Sequence, residues 1–460
     1  MRNLKSLVLL AIVILATITN ISFSQNAANY LVTSLPGIPQ NVNYTTHAGY
    51  INTLFGTANS SIFFWLIRNQ FTADRQRLII WLNDPGCLSG LFFEIGPWRL
   101  IDSQTLTSAN ESWNQYANLL FVDQPVGSGY SFTFNSNNYL RNFTTESTGF
   151  LQFLDAFITI FPEFTQEEMY IAGENYAGTL ISYVASAILA RNNQTSTPTN
   201  LRYNLQGIAI GNGWIDPRTQ YTAQYTYALS NNLISGMYKI LIDRQLELCL
   251  EALRNSTTVR VEACEQTFGL IINSTEIGDG NNATCINKYD IRDRTSRFPA
   301  CGDDWPYSLP TLQTYLNRQD VITAIHANVT NLTWIGCNAA VTRLLFNSDR
   351  SGPAFNLFPD ILKQIKVLLF EKVGDSDLIC NANGTESWIK RMTWNNATGF
   401  QGQTTTPWIV NNVISGRMIS ERNLTYVIVY NSSRMVPADQ PRIRDIMYRF
   451  MGLSQNFVPS

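Results

Sequence analysis

The stretch Met169-Tyr170-Ile171-Ala172-Gly173-Glu174-Asn175-Tyr176-Ala177-Gly178 decides the fold. An apolar run enters a sharp turn flanked by small residues, and a helical pattern follows from Ala177 to Arg191. Strand, turn and helix in this order form the layout of a nucleophile elbow, where one side chain stands on a strained turn at the top of a sheet. That residue is Asn175. A carboxamide has no acidic proton to lose, so it is no nucleophile for a carbonyl carbon. The turn itself tolerates the change, because Asn adopts positive φ more readily than most residues.

Working outward, Leu78–Leu82, Leu119–Val122, Gly207–Ile210, Val367–Phe370 and Val427–Val429 are further short apolar runs. Each is apolar at consecutive positions, as strands of a parallel sheet covered on both faces must be. Helices are expected from Thr144 to Phe161, with Pro162 as the stop, and from Arg442 to Met451. The alternation predicts an α/β architecture, a doubly wound and mostly parallel sheet. Between Pro217 and Leu312 the pattern changes, and four of the seven Cys lie there. A helical, disulfide-bearing insertion over residues 217–312 is expected, lying over one edge of the sheet.

With 460 residues, 45% hydrophobic and 12% aromatic, the chain can bury a large core, which excludes a disordered or collagen-like polymer. A net charge of -2 with no basic run argues against a nucleic-acid partner. The start Met1-Arg2-Asn3-Leu4-Lys5, an apolar run from Leu7 to Ile18, and the small residues Ser22 and Ser24 read as a signal peptide over residues 1–24. The mature chain is then 25–460, lumenal or extracellular. The leader's run is short for a membrane span, and no later run suffices. Fourteen Asn-x-Ser/Thr acceptors follow the leader and suggest a glycoprotein. Seven Cys in an oxidising compartment suggest three disulfides and one further thiol. No CxxC pair exists, and no metal or cofactor is expected. The chain has only two His, so a His-dependent mechanism must use His47 or His326.

The longer motifs resemble the serine carboxypeptidases, an α/β-hydrolase family, and within it the fungal pheromone-processing branch that removes C-terminal Lys and Arg. The resemblance is carried by Trp81-Leu82-Asn83 with Pro85-Gly86-Cys87, by Asn118-Leu119-Leu120-Phe121-Val122-Asp123-Gln124-Pro125-Val126-Gly127 and by Ile210-Gly211-Asn212-Gly213-Trp214. It continues through Phe298-Pro299-Ala300-Cys301-Gly302, Gly374-Asp375-Ser376-Asp377-Leu378-Ile379-Cys380-Asn381 and Met435-Val436-Pro437. It implies an α/β-hydrolase fold. It also implies that Trp81, Asn83, Glu94 and Glu174 hold the substrate's C-terminal carboxylate, the two Glu sharing a proton. Family position pairs Cys87 with Cys337 and leaves Cys380 as a thiol outside any disulfide, near the cleft. For the other four, Cys249–Cys264 with Cys285–Cys301 is preferred to a nested pairing.

The departures fall where catalysis belongs. The family's elbow Ser is Asn175, and its catalytic His is Arg434 in Ser433-Arg434-Met435-Val436-Pro437. Arg stays protonated and accepts no proton. Only Asp377 of the triad is kept. In the oxyanion region, which includes Asp84 and Tyr176, a Gly pair has become the single Asp84, bringing a side chain where negative charge must be stabilised. The segment from Asn83 to Glu94 is also shorter than in the family, which puts the pairing of the two Glu at issue. Both His match family positions away from the triad. The resemblance, corrected for these losses, implies a catalytically inactive protein of the secretory pathway, secreted or in the Golgi or vacuolar lumen. Its partners would be peptide C-termini or a protein. The alternative is an active carboxypeptidase releasing C-terminal Lys or Arg. A buried ion pair between Arg434 and Asp377 is also expected.

Overall fold

The computed structural model describes residues 26–38, 42–55, 58–83, 88–135, 139, 141–296, 301–303, 306–336, 338–372, 377–402 and 404–453. The expected leader, Asp84, Cys87 and Cys337 lie outside these residues.

The strands that carry the site are β1 (Thr46–Phe55), β2 (Ala58–Ile67), β3 (Arg77–Leu82), β4 (Asn118–Asp123), β5 (Glu168–Glu174), β6 (Leu205–Gly211), β7 (Lys366–Lys372), β8 (Thr406–Val410), β9 (Val413–Glu421) and β10 (Leu424–Val429). They lie in one sheet in the order β1-β2-β4-β3-β5-β6-β7-β10-β9-β8. The six central strands, β4 through β10, are mutually parallel. The flanking pairs are antiparallel. This is the α/β-hydrolase sheet, and every strand expected from the apolar runs is present.

The two-sided burial of those strands has a direct signature in packing. Leu78, Ile80 and Leu82 of β3 join one core cluster with Ile171, Ile208 and Val367, while Ile79 and Trp81 join a second with Tyr170, Ala209 and Leu368. Alternate residues therefore serve opposite faces. The first cluster is closed by α1 (Phe143–Ile160) and α2 (Ala177–Asn192), the second in part by α7 (Ile443–Phe450). Asn142 caps α1, its side chain accepting from Thr145 N. Helix α1 ends at Ile160, before Pro162, as expected.

The insertion leaves β6 and forms α3 (Pro217–Ser230), α4 (Gly236–Asn255) and α5 (Glu262–Ser274). Asp216 caps α3 by accepting from Thr219 N. After α5 comes an antiparallel hairpin, Thr284–Asn287 with Asp290–Ser296, which the helical expectation did not include. Helix α3 packs on α6 (Ala382–Arg391), and Gln224 Nε2 donates to Ile379 O at 3.0 Å. The insertion is thus fastened beside the loop that carries Asp377. Its four cysteines pair in sequential order, Cys249 with Cys264 between α4 and α5, and Cys285 with Cys301 behind the hairpin. The first crosslink spans 15 residues. A closure of that size is worth about 3 kcal/mol through loss of chain entropy in the unfolded state. Paired substitution of Cys249 and Cys264 by Ala should therefore lower the unfolding free energy by about 2–4 kcal/mol in urea titration.

Candidate active site

The carboxyl ends of β3, β5, β6 and β10 converge at the elbow. Residues Glu168–Glu174 run into Asn175, whose φ is +57°, and α2 begins two residues later. Gly173 is required just before the turn, since a Cβ there would lie 1.9 Å from the carbonyl oxygen of Leu82 on β3. The turn is held from three sides. Asn175 N donates to Gly211 O on β6, and Asn175 O accepts from Gly178 N and Trp214 N, all at 2.9 Å. The expected elbow is present, with Asn in the left-handed conformation.

The Asn175 side chain is fully engaged. Its Oδ1 accepts from Tyr176 N at 2.8 Å, and its Nδ2 donates to Cys380 Sγ at 3.6 Å. In an α/β-hydrolase the N–H after the nucleophile helps stabilise the oxyanion. Here that N–H already serves the Asn175 carbonyl. The side chain on the turn is thus a carboxamide, and its own oxygen accepts the N–H that follows it.

Asp377 is buried, and its Oδ1 accepts from Ile379 N at 2.8 Å and Cys380 N at 3.1 Å. Cys380 is buried and outside any disulfide. Arg434 follows β10 on a turn whose carbonyl accepts from Asn212 Nδ2 at 2.7 Å. Its guanidinium lies 4.6 Å over the ring of Tyr289, from the insertion hairpin. The expected Arg434–Asp377 ion pair is not among the ion pairs of the described residues. Arg434 is directed to an aromatic face, an arrangement worth about 0.5–2 kcal/mol. The Asp377 carboxylate meanwhile caps its own loop.

The four residues assigned to carboxylate binding do come together. Trp81 Nε1 donates to Asn83 Oδ1, and Asn83 Nδ2 donates to Glu94 Oε1 at 3.1 Å. The Glu94 and Glu174 carboxyls interact across the cleft, and Val436 N donates to Glu174 Oε1 at 3.2 Å. Glu94 is the last residue of a single π-helical turn, Gly90–Glu94, and is buried in the cleft with Glu174. Glu94 is 1% exposed and Glu174 2%. Burial raises both carboxyls, and Glu94 raises Glu174 further; Arg434 opposes both shifts. Glu94 Oε2 is buried without a hydrogen-bond partner among the described residues. A direct bond between two carboxyls would need a proton on one of them.

The two His lie elsewhere. His47, on β1, packs edge-on against Phe161 at 5.3 Å and is pushed down to about 4, chiefly by burial. His326 Nδ1 is 3.0 Å from Ala48 O. The metal-like cluster among the described residues, Glu276 with Cys285 and Cys301, has both sulfurs joined to each other. Four contributors had no role from sequence. Asn212 and Val436 sit inside motifs whose roles are backbone contacts, and Arg99 reaches Glu94 O from the next strand. Tyr289 is supplied by the unforeseen hairpin.

A folded-state carboxyl raised above its unfolded value costs nothing below the unfolded value, and the cost grows as pH rises through the folded one. Wild-type stability should therefore fall more steeply from pH 5 to pH 8 than that of Glu174→Gln. Parallel denaturant titrations at the two pH values measure the difference.

Comparison with known proteins places this geometry. A family model described as serine carboxypeptidase matches residues 36–452. The pheromone-processing carboxypeptidase KEX1 of Chaetomium globosum is 40% identical over 460 residues, covering 97% of this chain and 70% of that protein. The Aspergillus fumigatus kex1 protein is 41% identical over 445 residues, covering 93% and 68%. The crystal structure of Kex1(delta)p, a prohormone-processing carboxypeptidase from Saccharomyces cerevisiae, matches with a TM-score of 0.85 at 29% identity, covering 93% of this chain and 96% of that one.

Proposed function

We propose, from the premise that the chain belongs to the serine carboxypeptidase family, that it is a member of the secretory pathway that binds peptide carboxyl termini without cleaving them. The observation that carries this is the pair of substitutions at the triad, Asn175 and Arg434, set in an otherwise assembled site. Acyl transfer needs a nucleophile that can lose a proton and a base that can take it. Asn175 cannot do the first, and a guanidinium cannot do the second. Losing triad members costs several powers of ten in rate, and a capped oxyanion donor removes part of what remains.

The carboxylate group is a different matter. Trp81, Asn83 and Glu94 are hydrogen-bonded in series, and the buried Glu174 carboxyl interacts with that of Glu94. A carboxyl pair that keeps a proton can donate to an incoming carboxylate. Once both members ionise, it repels one. Binding then belongs at acidic pH. The two disulfides and a leader of residues 1–24 ahead of a mature chain 25–460 support a lumenal address.

The second reading is an active carboxypeptidase releasing C-terminal Lys or Arg. The comparisons favour it, because the relatives are named as processing carboxypeptidases. The triad chemistry favours the first.

Calorimetry with an N-blocked dipeptide as free acid and as C-terminal amide tests the binding half. The free acid should bind at least about tenfold tighter at pH 5, a 1.4 kcal/mol difference, with the preference shrinking at pH 8. Equal affinity for acid and amide would contradict a carboxylate site.

A further inference from the structure

A cavity of about 220 Å3 lies between α6 and the β9–β10 pair, and no triad position or member of the carboxylate group lines it. Packing explains why it is there. Across the ladder Arg417 stands opposite Ile428 and Ile419 opposite Tyr426, so these four side chains share one face of the sheet. Helix α6 packs chiefly on α3 and does not seal that face. Ile389 of α6 and Phe400 of the following loop complete the walls. Phe400 is set edge-on against Trp394 at 5.6 Å, and the Arg422 guanidinium lies 3.9 Å over the Trp394 ring. The walls are thus packed side chains held from behind.

The lining separates into two chemistries. Ile389, Ile419, Tyr426 and Ile428 are buried. The Tyr426 hydroxyl donates to the buried Glu371 at 3.4 Å, and Glu371 does not line the cavity, so the interior offers apolar surface. The charged members, Glu386, Lys390 and Arg417, form the rim; the Lys390 side chain is 76% exposed and that of Arg417 44%. Glu386 faces Lys390 at 3.4 Å and Arg417 at 3.3 Å, one carboxylate against two cations. A positive charge is left over at the mouth of an apolar space. Such a site selects an amphipathic molecule with one anionic head. A cavity of about 150 Å3 lined by aliphatic and aromatic side chains takes benzene, so this one has room for a chain of about eight carbons.

We propose that the cavity between α6 and β9–β10 binds a medium-chain carboxylate. Its alkyl body lies among Ile389, Phe400, Ile419 and Ile428, and its head lies between Lys390 and Arg417. Burial of the chain supplies the affinity, and the two cations decide which end stays at the mouth. The site is separate from the cleft and stands whether or not the chain cleaves peptides.

Calorimetry of the full chain at pH 7 with octanoate, octanol and octylammonium tests this, on wild type and on the double variant Lys390→Gln with Arg417→Gln. Both side chains are at the exposed rim, so an unchanged unfolding temperature without ligand is the folding control. Wild type should bind octanoate with a Kd on the order of 100 μM, and octanol at least about fivefold more weakly. Octylammonium, with the same chain and the opposite charge, should bind weakest. The double variant should lose the preference for octanoate and keep its octanol affinity to within about twofold. In crystals soaked with terminally brominated octanoate, the bromine should lie beside Phe400 and Ile428. Absence of octanoate binding, octylammonium binding as tightly as octanoate, or a double variant that keeps the preference would each overturn the proposal. So would a bromine lying between Glu94 and Glu174.

Discussion

The turn at Asn175 is the constraint on which the site depends. A strand buried on both faces must end, reverse direction and start a helix within two residues, and only a left-handed residue allows it. Three hydrogen bonds from β6, α2 and the Trp214 loop fix that residue in place. The same turn aims its neighbours. Glu174, one residue earlier, points into the cleft against Glu94, and Tyr176, one residue later, presents its N–H at the top of the sheet. Because Asn is among the residues that tolerate this conformation, the nucleophile could be lost without loss of the turn. A β-branched residue there would have cost the fold as well as the chemistry.

On the proposed reading, binding and catalysis are separable in this cleft. Catalysis in a serine hydrolase is carried by side-chain atoms on three loops, each replaceable without disturbing the sheet. The carboxylate site is built from shorter links: an indole, a carboxamide and two buried acids, closed by the Val436 amide. Its members hold one another. At Arg434 the backbone carbonyl is tied to Asn212 while the guanidinium lies over Tyr289 of the insertion.

Much of this was legible in the sequence, for identifiable reasons. Parallel strands covered on both faces announce themselves as unbroken apolar runs, and β3 through β7 and β10 were found that way. The antiparallel flanks were not. Residues Val413–Glu421 expose most of their length, so the run is broken, and the Thr46–Ile67 hairpin mixes polar and apolar positions. That Trp81, Asn83, Glu94 and Glu174 lie together was readable because they sit inside long motifs. The Arg434–Asp377 pair failed because opposite charges at neighbouring family positions say nothing of side-chain direction. Tyr289, over whose ring the guanidinium lies, is on a hairpin with no sequence signal. The π-helical turn at Gly90–Glu94, on which Glu94 lies, had no signal in the sequence.

The central claim is that the site is assembled but has no chemistry. It is tested most directly by hydrolysis of an N-blocked dipeptide ending in Lys or Arg, from pH 4 to 7, with wild type and Asp377→Ala measured side by side. The account predicts no turnover by wild type above that of the variant at any pH. Turnover by wild type that Asp377→Ala abolishes would contradict it.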